Sequence, residues 1–369
     1  MGLRFRNLNI ELSSACNFAC SYCPGAEMTR DKTVMSYEMA TSLLDQIHEM
    51  ELTDYINFYH MGESLLNKRA PDIFRYARKL GFRIKLNTNG SRLDAEMRDE
   101  LLDIGVDELF ISYHSSFVQG GSVHRLASPI SFERWHEQIV ATIEDRYRKK
   151  SRTSITLILF RIAEATRSEM LGGLRVPGSS ARETDVALRP WKDLAQRLAS
   201  EHGIPSLYQP PSRSLAARIL GQPLERVNRS VPLLPGLTVS LTKLHTWNND
   251  VIGEEARLRG IRKARFGGCD ALSDTMAICA DGSYSLCCAD WDGQLLQGNA
   301  AHQPLREFLE SPRAQGIRES FASGRLPFDY CRQCRGGSTL RTWAFNQTHS
   351  YVFHTSSKYR SLRRLLKMG

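Results

Sequence analysis

Three absences limit what this chain of 369 residues can be. No segment approaches the roughly 18 consecutive apolar residues that a membrane-spanning helix needs. The first residues, MGLRFRNLNIELSS, contain no continuous apolar region followed by a small-residue cleavage site, so we expect no signal peptide and a cytoplasmic, reducing location. No cysteine lies between residues 24 and 268, so the nine cysteines form two separate groups instead of a disulfide network.

The chain also lacks any segment that resembles a nucleic-acid-binding motif. Its net charge of +9 is a weak indication by itself, so we expect no nucleic-acid partner. Residues 341–369 contain six Lys or Arg residues and no Asp or Glu. We interpret them as a basic C-terminal tail that packs loosely on the protein. The alternative is that an amphipathic helix over residues 356–369 contacts a membrane surface or an anionic substrate.

Strand patterns alternate with helix patterns through the first two thirds of the chain. Strand-like segments such as residues 7–12, 55–59 and 82–86 are each followed by apolar residues at helical spacing. About six such units occur before residue 245, and repeated β-α units form a parallel sheet covered by helices. We predict an α/β fold with a partial (β/α)6 TIM-like barrel over residues 1–250. Its functional residues should lie at the C-terminal ends of the strands.

Three cysteines, Cys16, Cys20 and Cys23, lie within eight residues directly after the first predicted strand. Three thiolates do not complete a structural zinc site, which has four ligands, but they can hold a [4Fe–4S] cluster that keeps one iron open. The spacing Cys-x3-Cys-x2-Cys, with Tyr22 before the last cysteine, resembles the signature of the radical S-adenosylmethionine (SAM) superfamily. A zinc site with a distant fourth ligand is the alternative.

Motifs after the next three strands strengthen this resemblance. Gly62 and Glu63 resemble the GGE motif of the superfamily, which binds the amino group of SAM, although Met61 replaces the first glycine. Taken singly, Glu63 would be interpreted as a solvated surface residue. A TNG turn follows the third strand, and the residues after the fourth resemble those that contact the ribose and carboxylate of SAM. The cofactor-binding residues that the resemblance implies are Tyr22, Gly62, Glu63, Asn87, Asn89, Ser112 and His114.

A second cysteine pattern lies near the C-terminus, in a predicted β-hairpin and a later Cys-x2-Cys segment. The hairpin is indicated by the turn residues Asp281-Gly282. The pattern resembles the twitch domain, a shortened SPASM domain of radical SAM enzymes, and we place this small hairpin-plus-helix domain at residues 251–340. The resemblance implies an auxiliary [4Fe–4S] cluster on Cys269, Cys287, Cys331 and Cys334. Zinc also suits four cysteines and stays the alternative.

Two further cysteines of the hairpin region, Cys279 and Cys288, are not assigned to a cluster. Neighbouring residues of a strand point to opposite faces, so Cys288 is not expected to join Cys287 as a ligand. Both thiols are interpreted as small buried hydrophobic groups. The alternative makes them catalytic donors of a hydrogen atom to a substrate radical, as in radical SAM epimerases.

The resemblance implies reductive cleavage of SAM, with an external reductant of the flavodoxin or ferredoxin type, and removal of a hydrogen atom from a substrate. A cluster with four thiolates has no open iron, so its expected role is electron transfer. We therefore predict a radical SAM oxidoreductase of natural product biosynthesis that oxidises a polyol-like small molecule, such as a sugar, an aminocyclitol or a nucleotide-linked compound. It would be similar to the twitch-containing dehydrogenases of aminocyclitol biosynthesis.

Residues 165–236 fit no β-α unit and are rich in Arg, Pro and Ser, so we expect them to supply substrate loops. Because the first strand begins near residue 7, we expect no leader-peptide recognition domain before it, which disfavours a peptide maturase. An epimerase, a peptide maturase and a non-catalytic iron–sulfur or zinc protein remain as alternatives.

Overall fold

The computed structural model describes eight segments of the chain. They are residues 3–20, 23–113, 130–161, 181–209, 229–243, 262–287, 289–337 and 340–355. Three predicted site residues, Tyr22, His114 and Cys288, lie outside these ranges, as do residues 356–369 of the predicted tail.

Within these segments the strands form a single open sheet. They are β1 (Asn7–Ile10), β2 (Tyr55–Phe58), β3 (Arg83–Thr88), β4 (Glu108–Ile111), β5 (Ser154–Arg161), β6 (Arg229–Leu234), β7 (Leu237–Lys243), β8 (Thr275–Ile278) and β9 (Tyr284–Ser285). Their order across the sheet is β6-β7-β5-β4-β3-β2-β1-β8-β9. Strands β1 to β5 and β7 are parallel, as the β-α units predict, and the strands β6 and β9 at the two edges pair antiparallel to their neighbours. The α/β fold with a partial barrel is confirmed.

The helices are α1 (Tyr37–Glu49), α2 (Ala70–Lys79), α3 (Ala95–Ile104), α4 (Phe132–Arg148), α5 (Ala181–His202), α6 (Leu305–Glu310), α7 (Pro312–Ala322), α8 (Asp329–Cys334) and α9 (Leu340–Thr355). Side-chain oxygens fix several of their starts: Ser36, Asp94 and Ser131 each accept a hydrogen bond from the backbone N–H three residues later. None of the described helices combines the length and the apolarity that crossing a lipid bilayer requires.

The two faces of the parallel sheet differ in chemistry because side chains alternate along each strand. One face is apolar and packs on the helices, as shown by Phe58 of β2, whose ring centroid lies 4.7 Å from that of Phe74 in α2. Right-handed crossovers place the other connecting helices on the same side. The opposite face, here called the inner face, is polar. Across β1 to β4 one row of partnered positions on it carries Asn9, Asn57, Lys85 and Glu108.

The predicted hairpin is present, but it is built into the barrel sheet. Strand β8 runs parallel to β1 and pairs with it over the whole of both strands, from Asn7↔Thr275 to Ile10↔Ile278. Strand β9 then pairs antiparallel with β8, and Gly282 in the turn has φ +86°, a conformation that favours glycine. The boundary predicted at residue 250 stays a prediction, because residues 244–261 lie outside the described ranges.

Residues 340–355 differ from the loosely packed tail expected from the sequence. They form α9, which packs on the segment before Cys269. Gln347 is buried and its Oε1 accepts a hydrogen bond of 2.7 Å from the backbone N–H of Arg265. Trp343 Nε1 donates to the carbonyl oxygen of Lys263 at 3.0 Å. These backbone contacts tie α9 to the auxiliary region.

Part of the expected substrate-loop region is also regular structure. Residues 229–234 form β6, which pairs antiparallel with β7, and α5 already begins at Ala181. Pro190 lies inside this helix, where it removes one backbone donor. Residues 162–180 and 210–228 of the expected loops lie outside the described ranges.

Candidate active site and auxiliary cysteine site

The loop that carries the first three cysteines packs directly on the loop that follows β2. Gly62 has φ +65°, and a Cβ atom there would overlap Ser13 O and lie 2.8 Å from Ala15 O. The next residue, Glu63, donates its backbone N–H to Ala15 O at 2.9 Å. Only glycine permits both this backbone conformation and this approach. Gly62 therefore fixes the start of the cysteine loop beside Glu63.

Glu63 is buried, with 1% of its surface exposed, so it is not the solvated surface residue that it would be in isolation. Its Oε1 accepts hydrogen bonds from Leu65 N (3.1 Å) and Thr88 Oγ1 (2.8 Å), and its Oε2 accepts one from Asn89 N (2.6 Å). Burial raises the pKa of the Glu63 carboxyl, and these hydrogen bonds oppose that rise. A carboxylate offers about four acceptor positions, so one remains on Oε2 for a donor such as an amino group.

The turn after β3 holds the cysteine loop from the other side. Asn89 Nδ2 donates to Asn17 Oδ1 at 3.0 Å and lies 3.7 Å from Cys16 Sγ. Asn17 Nδ2 in turn donates to Ser91 Oγ at 2.8 Å. Asn17 and Ser91 were not predicted as site residues, although Asn17 directly follows Cys16 and Ser91 closely follows Asn89. The contacts place Asn89 at the cysteine loop, as its motif predicts, while its contact with SAM stays a prediction.

The first three cysteines share one short loop at the C-terminal end of β1. Cys23 donates its backbone N–H to Cys20 O at 3.0 Å. Cys16 keeps exposed surface, yet its pKa is raised to about 11, first by loss of hydration and then by the nearby Glu63 carboxylate and Cys23 thiol. Thiolates are the ligand form of cysteine, so this loop needs a cation to hold the thiols ionised near neutral pH.

Asn87 and Ser112 lie at the C-terminal ends of neighbouring strands. Asn87 is two residues after Lys85 on β3 and shares its inner face, and it pairs with Phe110 of β4. Ser112 directly follows β4 and donates its backbone N–H to Thr88 O at 2.9 Å. Both residues therefore lie at the sheet end where the cysteine loop begins, and their predicted contacts with SAM stay predictions.

The four cysteines of the second pattern come from separate segments but lie in one region around Arg335. Burial raises the pKa of the Cys331 thiol to about 12, and the nearby Cys269 and Cys334 thiols add to that rise. Arg335, which was not predicted, donates from Nη2 to Cys269 Sγ at 3.4 Å. Burial lowers the pKa of Arg335, but the neighbouring thiols of Cys269, Cys334 and Cys287 raise it overall. Arg335 also donates its backbone N–H to Cys331 O at 3.1 Å, so this one arginine lies close to all four predicted ligands.

No group of three or more His, Cys, Asp or Glu side chains in the described part of the chain has an arrangement that could hold a metal ion.

A buried ion pair joins the cysteine loop to the hairpin. Glu11, directly after β1, is fully buried, and both of its oxygens accept hydrogen bonds of 2.6 Å from the guanidinium of Arg30. Its Oε1 also accepts from Met61 N (3.0 Å) and its Oε2 from Ala280 N (2.8 Å). One carboxylate thus connects the cysteine loop, the loop after β2 and the hairpin. The sequence signal, a glutamate at the end of the first strand, was not interpreted.

A second contact reinforces this connection at the surface. The backbone N–H groups of Thr29 and Arg30 both donate to Asp292 Oδ1, at 2.9 and 3.2 Å. Asp292 lies shortly after Cys287 in the auxiliary region. The segment of Thr29 and Arg30, which follows the three cysteines, is therefore held by a residue close to the second cysteine group.

Cys279 is fully buried at the end of β8. A Cβ atom on Gly293 would lie 3.3 Å from its Sγ, and burial raises the pKa of the thiol well above its usual value. This environment favours the interpretation of Cys279 as a small buried hydrophobic group. Its alternative role as a hydrogen-atom donor stays a prediction.

Comparison with known proteins identifies two domains in the chain. Residues 10–169 match the family model described as the Radical SAM superfamily, and residues 269–335 match SPASM, an iron-sulfur cluster-binding domain. The chain therefore contains a radical SAM domain and a SPASM domain. The first match contains Cys16, Cys20 and Cys23, and the second contains all four cysteines of the other pattern. The two domains imply a SAM-binding [4Fe–4S] cluster, an auxiliary iron–sulfur cluster and SAM itself as cofactors.

The relatives carry out different reactions. An S-adenosyl-L-methionine-dependent 2-deoxy-scyllo-inosamine dehydrogenase of Niallia circulans is 27% identical over 117 residues, which cover 30% of this chain and 46% of the relative. A PqqA peptide cyclase of Streptomyces rochei is 33% identical over 104 residues, 28% of each chain. The alignments thus span less than half of these curated relatives. The crystal structure of BtrN in complex with AdoMet and 2-DOIA aligns with 90% of this chain and 93% of its own, with a TM-score of 0.50 and 14% identity, which shows a shared fold.

Proposed function

We propose that this chain is a radical SAM dehydrogenase that oxidises a carbinol carbon of a polyol-like small molecule and passes one electron to the auxiliary cluster. The observation that carries the proposal is the position of the auxiliary cysteines around Arg335. Cys269 Sγ accepts a hydrogen bond of 3.4 Å from Arg335 Nη2, and Cys331 and Cys334 lie in the helix directly before this arginine. A cluster with four protein thiolates has no open iron for substrate, so electron transfer is the role left to it.

The residues around the first cysteine loop fit the family's cofactors. Cys16, Cys20 and Cys23 would hold the [4Fe–4S] cluster, and the free acceptor position on Glu63 Oε2 would orient the amino group of SAM. With an external one-electron reductant of the flavodoxin or ferredoxin type, the bound cluster and SAM together supply a 5′-deoxyadenosyl radical that abstracts hydrogen. The protein's part is to fix the cysteine loop and the SAM amino group, which Gly62 and Asn89 do through the contacts described above.

The inner face of the sheet suits a substrate rich in hydroxyl groups. Asn57 Nδ2 donates to Asn9 Oδ1 at 2.6 Å, and Tyr55 OH donates to Glu108 Oε1 at 2.7 Å. Lys85 Nζ lies 3.9 Å from Glu108 Oε2. Tyr55 and Glu108 begin β2 and β4, so this polar lining lies below the strand ends that carry the cysteine loop, and its donors and acceptors suit hydroxyl groups better than the apolar side chains of a peptide. The relative from Niallia circulans, named as an aminocyclitol dehydrogenase, supports the same substrate class.

The proposed reaction balances without a further oxidant. A secondary alcohol and SAM give a ketone, methionine, 5′-deoxyadenosine and one proton. The alcohol loses two electrons overall and SAM gains two. Each turnover cleaves one SAM, so SAM is consumed in a one-to-one ratio with product. The auxiliary cluster, held by Cys269, Cys287, Cys331 and Cys334, would accept the electron that the substrate radical releases.

Anaerobic assays with a panel of aminocyclitols, sugars and nucleotide-linked sugars test this proposal. The reconstituted protein should form one 5′-deoxyadenosine for each ketone, and a substrate deuterated at the reacting carbon should transfer that deuterium to 5′-deoxyadenosine. Alanine at Cys16, Cys20 or Cys23 should abolish 5′-deoxyadenosine formation. Alanine at Asp274, which pairs with Arg6 at the partly exposed starts of β1 and β8, should not.

The alternatives give different products in the same assays. In heavy water an epimerase would place solvent deuterium at an inverted carbon and leave the oxidation level of the substrate unchanged. A peptide maturase would convert none of the panel. Either a deuterated, inverted product or the absence of 5′-deoxyadenosine from a fully iron-loaded protein would rule out the dehydrogenase.

A further inference from the structure

Arg335 occupies a distinct position relative to the auxiliary cysteines. It directly follows α8, whose single turn carries Cys331 and Cys334, and its backbone N–H donates to Cys331 O at 3.1 Å. Its guanidinium turns toward the other half of the ligand set and donates from Nη2 to Cys269 Sγ at 3.4 Å. One residue thereby connects the Cys-x2-Cys helix to the cysteine that precedes the hairpin.

The segment that carries Arg335 is held in place on both sides. Asn346 of α9 donates from Nδ2 to Gly336 O at 2.7 Å. Gly337 and Arg262 exchange two backbone hydrogen bonds of 3.1 Å each. These hydrogen bonds fix the backbone on both sides of Arg335. The fold therefore holds its guanidinium next to Cys269 Sγ.

The charge of an arginine matters at this place. A guanidinium is protonated at any physiological pH, and its planar donors hold a fixed direction. The reduction potential of an iron–sulfur cluster depends on its net charge and on the hydrogen bonds to its sulfur atoms. A cation that donates to a ligand sulfur stabilises the reduced cluster, which carries one more negative charge, more than the oxidised one.

We propose that Arg335 is a positioning residue of the auxiliary cluster, which orients the Cys269 thiolate and raises the reduction potential of the cluster. The inference rests on the auxiliary cluster and deepens its proposed role, because a higher potential makes the cluster a better acceptor for the electron that substrate oxidation releases. The same helix supplies a matched control in Arg332, which is exposed and next to Cys331 in sequence. Its charge is screened by water.

The test is a redox titration followed by electron paramagnetic resonance. It uses the full chain with alanine at Cys16, Cys20 and Cys23, so that only the auxiliary cluster gives a signal. Arg335→Gln should lower the equilibrium constant for reduction about tenfold, which is about 59 mV for a one-electron couple. Arg335→Lys keeps the charge but loses the directed donor, so it should give a smaller fall. Arg332→Gln should leave the potential unchanged.

Iron content and absorption spectra accompany every titration. An Arg335→Gln protein with a full cluster and an unchanged potential would overturn the proposal. If Arg335→Gln takes up no iron, the reduction potential of Arg335→Lys tests the proposal instead. An Arg335→Lys protein with a potential equal to or higher than that of the parent would also overturn the proposal. So would a site that binds zinc and no iron in the parent chain. Because the titration involves neither SAM nor substrate, its outcome is independent of the assay for dehydrogenation.

Discussion

The buried pair of Glu11 and Arg30 should be the most sensitive link between the barrel and the auxiliary region. The exposed fractions of the two side chains are 0% and 6%. Each carboxylate oxygen of Glu11 accepts one donor from Arg30 and one backbone N–H. In Glu11→Gln, the NH2 group replaces one of these oxygens in either orientation of the amide, so it faces one donor of Arg30 and one backbone N–H. The buried charge of Arg30 then has no counterion. Breaking a buried pair in this way costs about 3–5 kcal/mol.

An exposed pair provides the matched control for this change. Arg6 donates to Asp274 and joins the starts of the neighbouring strands β1 and β8, whereas Glu11 acts beyond their ends, and the Arg6 side chain is 43% exposed. Exposed pairs contribute about 0–1 kcal/mol, so Asp274→Asn should change stability little. The two variants compare a buried and a partly exposed ion pair at opposite ends of the same two neighbouring strands.

The assay is denaturant unfolding of the anaerobic holoprotein, followed in parallel by far-ultraviolet circular dichroism and by cluster absorption. Glu11→Gln should lower the unfolding midpoint far more than Asp274→Asn, and cluster absorption should be lost at or before the loss of helix signal. Adding Arg30→Met to Glu11→Gln should restore part of the stability, because no buried charge is then unpaired. A Glu11→Gln protein as stable as Asp274→Asn within about 1 kcal/mol would refute the reasoning.

Three further changes test individual residues of the site. Gly62→Ala places a Cβ atom against the cysteine loop, so the iron content should fall from about eight to about four atoms per chain. Full iron content in this variant would contradict the role of Gly62. Glu63→Gln should weaken SAM binding about tenfold or more with little change in cluster absorption, and an unchanged affinity would remove Glu63 from the SAM site. Burial raises the pKa of the Asp290 carboxyl to about 6. Between about pH 4 and 6 the folded state therefore binds more protons than the unfolded state, so the free energy of unfolding falls as the pH rises through this range. From pH 5.5 to 7.5 the parent should therefore lose about 1 kcal/mol relative to Asp290→Asn in thermal unfolding, and parallel pH profiles would show that the carboxyl is not perturbed.

The sequence by itself determined the features that depend on neighbouring residues. Alternation of strand and helix periodicity predicted the six parallel strands, because a period of 2 or 3.6 residues is a local property of the chain. The spacing of Cys16, Cys20 and Cys23 pointed to the family, because three thiols on one short loop reach one cluster in almost any fold. The Asp281-Gly282 turn predicted the hairpin for the same local reason.

Only the tertiary structure decided which distant segments meet. Strand β8 pairs with β1 although about 265 residues separate them, and neither strand's pattern of apolar residues names its partner. The burial of Glu63, the four donors around Glu11 and the contact of Arg335 with Cys269 likewise depend on backbone groups from other segments. Polar residues in a sequence are normally assigned to the surface, and only the surrounding fold can supply the partners that make their burial possible.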